Sequence, residues 1–162
     1  MTGQYPTVEI LVALRGMTTR IATKELQVKL QPLLVLIPQM DSHRIHLKAW
    51  CLIANTCVEA IFYSTHESGV VYTHLVFDEQ TIVSLCQTSR IDLIDAISPF
   101  IDRLKTLQGA FFLGVGFEPS VPTGFGDDEL IEAGISTGYY AGENSDWTRR
   151  DILPMKGHDY CI

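Results

Sequence analysis

Short apolar runs with period-two alternation fill the first half of the chain, and one long stripe of helical period follows them. Val8–Leu14 (VEILVAL) is a run of β-branched and aliphatic residues of strand length, ended by Arg15-Gly16. Thr18 and Thr19 offer caps for a short helix over Arg20–Lys24. The next stretch fits two periods. Leu26, Val28 and Leu30 alternate with Glu25, Gln27, Lys29 and Gln31, yet Leu26, Leu30, Leu33, Leu34 and Ile37 also follow a step near four. Pro32 lies in the middle of residues 24–37 and damages a helix there, so extended structure is predicted.

Arg44–Ala54 alternates again, with Ile45, Leu47, Ala49 and Cys51 against His46, Lys48 and Trp50. Cys57–Tyr63, Val70–Phe77 and Thr81–Cys86 read as further strands, with a turn over Ser64–Gly69. Their connections are too short for helical crossovers, which predicts antiparallel neighbours.

Ser89–Gly109 carries the helical stripe. Ile91, Ile94, Ile97, Ile101 and Leu104 recur at three- and four-residue steps, and Leu93, Phe100 and Leu107 widen the face. Ser89 is the predicted N-cap and Gly109 the predicted stop. Pro99 interrupts the ladder without shifting the phase of the stripe, so one helix kinked near Ser98–Pro99 is expected. Ala110–Phe117 (AFFLGVGF) follows as a last strand, weakened by Gly114 and Gly116.

Composition then divides the chain. Residues 1–117 carry nine Lys/Arg against ten Asp/Glu, whereas residues 118–162 carry three against nine. The second stretch also holds half of the glycines and one helix-like piece, Asp127–Ala133. About 45 residues so poor in large aliphatics do not build their own core. The expected organisation is an α+β body over 1–117, a mostly antiparallel sheet packed by one long amphipathic helix, and an extended acidic C-terminal arm over 118–162. Phe125, Tyr139, Tyr140 and Trp147 on that arm suit docking, either on the chain's own body or on a sister subunit.

The net charge of −7 without a basic run removes the electrostatic footprint for nucleic acid or an anionic membrane surface. No run is long enough to span a bilayer, since Leu30–Pro38 is short and broken by Pro32. The start MTGQYPTVEI has no charged-then-apolar leader, which predicts an intracellular protein without a signal peptide.

Candidate chemistry is sparse. His43 and His46 with Cys51 and Cys57 lack the knuckle spacing of a zinc site, so no metal is expected. GVGFEPSVPTGFG matches neither a dinucleotide loop nor a P-loop, so no cofactor is expected either. Cys86, placed just before the long helix, His74 in a strand and His66 in a turn are the candidates for catalysis at a pocket between sheet and helix. Asp92, Asp95 and Asp102 read as the solvated side of the helix. The expected function is therefore non-enzymatic interaction or self-assembly, of a structural or viral-matrix-like kind, with protein partners and a homo-oligomeric state. A small enzyme or ligand-binding module is the alternative.

Overall fold

The computed structural model describes residues 7–36 and 47–152. Eight strands form one antiparallel sheet. In chain order they are β1 (Thr7–Leu14), β2 (Leu34–Leu36), β3 (Leu47–Ile53), β4 (Thr56–Glu67), β5 (Val70–Asp78), β6 (Ala110–Phe117), β7 (Ile135–Ala141) and β8 (Trp147–Asp151). Their order across the sheet is β2-β3-β4-β5-β1-β6-β7-β8. The helices are α1 (Thr19–Leu30), α2 (Glu79–Ser89), α3 (Leu93–Leu104) and α4 (Asp127–Glu132).

β1 lies near the centre and is apolar on both sides, as a strand covered on two faces must be. Val8, Ile10, Val12 and Leu14 join the large core beneath α1, α2 and α3, the front face. Leu11 and Ala13 join a smaller core on the back face with Leu130, Ala133 and Ile135, in and beside α4. The α+β class and the antiparallel pairing match expectation, as do the strands read at β1, β3, β4, β5 and β6. The predicted residues 44–46 and 37 lie outside the described residues.

Three expectations are corrected. The helix expected over Arg20–Lys24 continues to Leu30, so residues 25–30 are helix and not extended. Thr18 caps the helix, its hydroxyl accepting from the Ile21 amide at 3.2 Å. Ala22, Leu26 and Leu30 form the buried row, while Val28, inward by alternation, is 57% exposed. Pro32 falls after the helix, in a 3₁₀ turn over Gln31–Leu33, where its missing N–H costs little.

Thr81–Cys86 is also helical, inside α2. The Asp78 carboxylate caps it, accepting from the Thr81 amide at 2.9 Å and the Thr81 hydroxyl at 2.8 Å. The helix expected over Ser89–Gly109 is consequently shorter, α3 from Leu93 to Leu104, with α2 before it. Arg90 adopts a left-handed conformation (φ 55°), and the Ile91 amide bonds back to the Cys86 carbonyl, which ends α2. Ser89 is thus the last residue of a helix rather than the cap of the next. α3 does bury the predicted stripe of Leu93, Ile94, Ile97, Phe100, Ile101 and Leu104. It continues through Pro99. The Asp95 carbonyl, which a residue-99 amide would otherwise meet, accepts instead from the Ser98 hydroxyl at 3.0 Å.

The third correction concerns the arm. The boundary near Glu118 marks the end of β6 and not the end of the sheet. β7 pairs with β6 from Phe112↔Tyr140 to Gly116↔Ile135, and β8 pairs with β7. Residues 118–152 therefore complete this chain's own sheet and cover part of its back face; residues 153–162 lie outside the described residues. Glycine makes the joint possible. A Cβ on Gly116 would stand 2.2 Å from the Gly134 carbonyl oxygen, so only glycine lets the α4–β7 connection approach β6.

Candidate functional site

The back face carries a buried polar line. Glu9 sits in β1 between two front-facing residues, so strand alternation turns it to the back, where it is 4% exposed. A carboxylate at such a place is costly unless bonded. His74, also 4% exposed, supplies the bond from β5, with Nδ1 on Glu9 Oε1. The two are diagonal neighbours, since Leu11 is the direct partner of His74 and Val76 that of Glu9. β4 contributes two more groups. Tyr63 lies opposite His74 in register, its ring stacked on the imidazole at 4.3 Å and 5°. Its hydroxyl stands 3.5 Å from Glu9 Oε1, at the outer limit of a hydrogen bond. Thr65, two residues on and half-buried, places Oγ1 3.0 Å from His74 Nε2.

The bonding pattern sets the proton positions. A carboxylate oxygen accepts from Nδ1–H, so in the neutral ring Nε2 carries the lone pair and accepts from the Thr65 hydroxyl. The line runs hydroxyl, imidazole, carboxylate. Burial, then the Glu9 charge and its hydrogen bond, push the Tyr63 phenol up to about 12.

Beside this line the back face divides. Over β1, β6 and β7 it is covered by α4 and the preceding connection, with Val121 and Phe125 packed on that core. Over β3 and β4 no described element covers it. Trp50 and Leu52, opposite Glu59 and Cys57, are 42% and 50% exposed. Ile61 and Val76 are half-buried between them and Glu9. Lys48 and Glu59 form an ion pair at 3.3 Å across this surface.

The residues singled out from sequence are dispersed. Cys86 is buried in the front-face core, on the other side of the sheet from His74. His66 is exposed near the end of β4, opposite Val71. Of the three, only His74 belongs to the polar line. Cys51 is buried in front, where burial and then the Cys57 charge push its thiol up to about 12; Cys57 is exposed on the opposite face. His43 and His46 lie outside the described residues. Among the described residues no three His, Cys, Asp or Glu side chains converge as metal ligands.

The aromatic residues expected at an interface pack on their own chain. Phe125 meets the rings of Phe111 at 5.3 Å and Phe112 at 4.9 Å, and its carbonyl accepts the Tyr140 hydroxyl at 3.0 Å. Tyr139 is buried, with the Lys105 ammonium 4.8 Å from its ring centre. Trp147 is half-buried against the main core.

Glu9, Tyr63 and Thr65 escaped sequence reading. A lone glutamate inside VEILVAL was the available signal, because a charge flanked by core residues on one strand needs a partner. Thr65 was hidden because β4 runs four residues past the predicted strand end.

Fold and site define an α+β protein with helices on both faces of an antiparallel sheet and a buried hydroxyl–imidazole–carboxylate line on the less covered face. The chain matches no family model, no curated protein and no solved structure. Among the described residues, no helix is long and apolar enough to cross a membrane.

Proposed function

We propose that this protein is an interaction protein that self-associates through the uncovered half of its back face. The observation that carries this reading is the exposure of Trp50 and Leu52 beside Ile61 and Val76 on one sheet face. A large apolar patch costs solvation unless something covers it, and Trp is the residue type that most often anchors an interface.

The occupant is a second copy of the chain. At net charge −7, two copies repel except where the local charge balances. The patch balances: its ion pair holds one lysine and one glutamate, and a two-fold axis sets each Lys48 against the glutamate of the other copy. Edge-to-edge addition is disfavoured at β8, where Arg149, Arg150 and Asp151 put charges along the rim. At the other edge β2 is only three residues long, so the sheet face offers the larger surface.

The test is the solution mass of the full chain by light scattering across a dilution series, beside W50E and L52E. A dimer mass for the wild type, falling to monomer in variants with unchanged circular dichroism, supports the reading. A monomeric wild type, or variants of unchanged mass, overturns it. A monomer that captures a different protein through Trp50 also overturns the choice of a second copy.

A further inference from the structure

The geometry points to a second activity, independent of self-association: Thr65 is a nucleophile that takes an acyl group from a carboxylic ester that carries no negative charge, with His74 as its general base and Glu9 as the residue that positions the imidazole.

Three features carry this. The connectivity is the one that activates a hydroxyl. Oγ1 of Thr65 is 3.0 Å from His74 Nε2, and Nδ1 of the same ring is engaged by Glu9. The ring is held on two sides, by Glu9 in β1 and by the stacked Tyr63 in β4, so its Nε2 lone pair cannot swing away from Thr65. Access is graded in the right order: Glu9 and His74 are buried, and Thr65 is half-exposed at the end of the line.

The substrate class follows from the surroundings. Glu67, two residues on in β4 and on the same face, puts a negative charge beside Thr65 and repels anionic donors. Glu9 adds a second negative charge behind the ring. Esters that carry no negative charge remain.

The step balances without a cofactor. The Thr65 oxygen bonds to the ester carbonyl carbon as its proton passes to Nε2. The tetrahedral intermediate collapses, the bond to the alcohol oxygen breaks, and the proton passes from Nε2 to that oxygen. The products are acyl-Thr65 and the alcohol.

The full chain is incubated with p-nitrophenyl acetate and followed by intact mass and peptide mapping. One acetyl group on Thr65 is expected, retained in T65S and absent in T65V. In H74Q the labelling rate falls by about a hundredfold, the span ordinarily ascribed to a positioned base. Acetyl groups spread over lysines and unchanged in T65V overturn the inference. So does a folded wild type with Thr65 unmodified, or a Thr65 rate that is unchanged in H74Q.

Discussion

His74 Nδ1 meets Glu9 Oε1 across two central strands, joining residues 65 positions apart in the chain. Each group satisfies the other, so neither tolerates being left alone. Replacing either by leucine is expected to cost about 3–5 kcal/mol, because the survivor stays buried without its partner. The double replacement, Glu9→Leu with His74→Leu, should cost less than the sum of the two. Urea unfolding of the four chains gives the coupling; strictly additive losses would show that the pair is not a unit.

Thr73 presents the opposite case on the front face. Its hydroxyl is buried and, among the described residues, has no hydrogen-bond partner. Thr73→Val keeps the shape and removes the unbonded group, and should raise stability by about 1 kcal/mol. A loss of stability in the same urea assay would mean that the hydroxyl is bonded in solution.

Ser98 and Pro99 act as one device in α3. Ser98→Ala leaves the Asp95 carbonyl without its side-chain donor and should cost about 0.5–1 kcal/mol. Pro99→Ala restores the amide that the carbonyl lacks and should stabilise the helix. In the Pro99→Ala background Ser98→Ala should be nearly neutral. If Ser98→Ala costs the same in both backgrounds, the hydroxyl is not standing in for the amide.

Gly116 sets the distance between β6 and the connection into β7. The Cβ of Gly116→Ala would lie 2.2 Å from the Gly134 carbonyl oxygen, a backbone atom that cannot swing aside. Loss of at least about 2 kcal/mol is expected, in line with overpacking of a tight joint. Hydrogen exchange should report faster opening of β7 and β8 before the rest of the sheet. Wild-type stability in this variant would show that the connection slides freely.

The pH dependence lies on the alkaline side. Cys51 is pushed from an ordinary 9.0 up to about 12, first by burial and then by Cys57. Tyr63 is pushed from 10.0 to about 12, first by burial and then by Glu9. Tyr72, Tyr139 and Tyr140 are raised by burial as well. Each is an acid that holds its proton more tightly in the folded chain. Stability is therefore full below the unfolded values and is lost as pH rises through the folded ones. Thermal midpoints should be flat up to about pH 9 and fall from there towards about 12. Cys51→Val should delay the onset to about pH 10, where the tyrosines take over. Superimposable curves for the two proteins would remove the thiol from this account.

Much of the fold was legible before the third dimension. The β1, β3, β4, β5 and β6 strands announce themselves by β-branched runs, and the buried face of α3 by its isoleucines. The failures have local causes. α2 was masked because Ile82, Val83 and Cys86 resemble a strand until Asp78 is seen to cap them. The second half of α1 was masked because Pro32 lies just past it, in the 3₁₀ turn that follows, and not inside the element. β7 was masked by Gly138, which lies opposite Gly114; both glycines leave room for the ring of Phe112.

By itself the sequence determined the class, the antiparallel pairing of the first hairpins and the inward face of α3, because each depends on contacts between near neighbours. Tertiary structure alone decided that residues 118–152 finish the sheet. It alone decided that no described element covers Trp50 and Leu52, and that Glu9, Tyr63, Thr65 and His74 share one place. Those outcomes depend on strand order. β1 lies between β5 and β6, next to strands that follow it by more than 50 residues, and no local period records which strand comes to lie beside which.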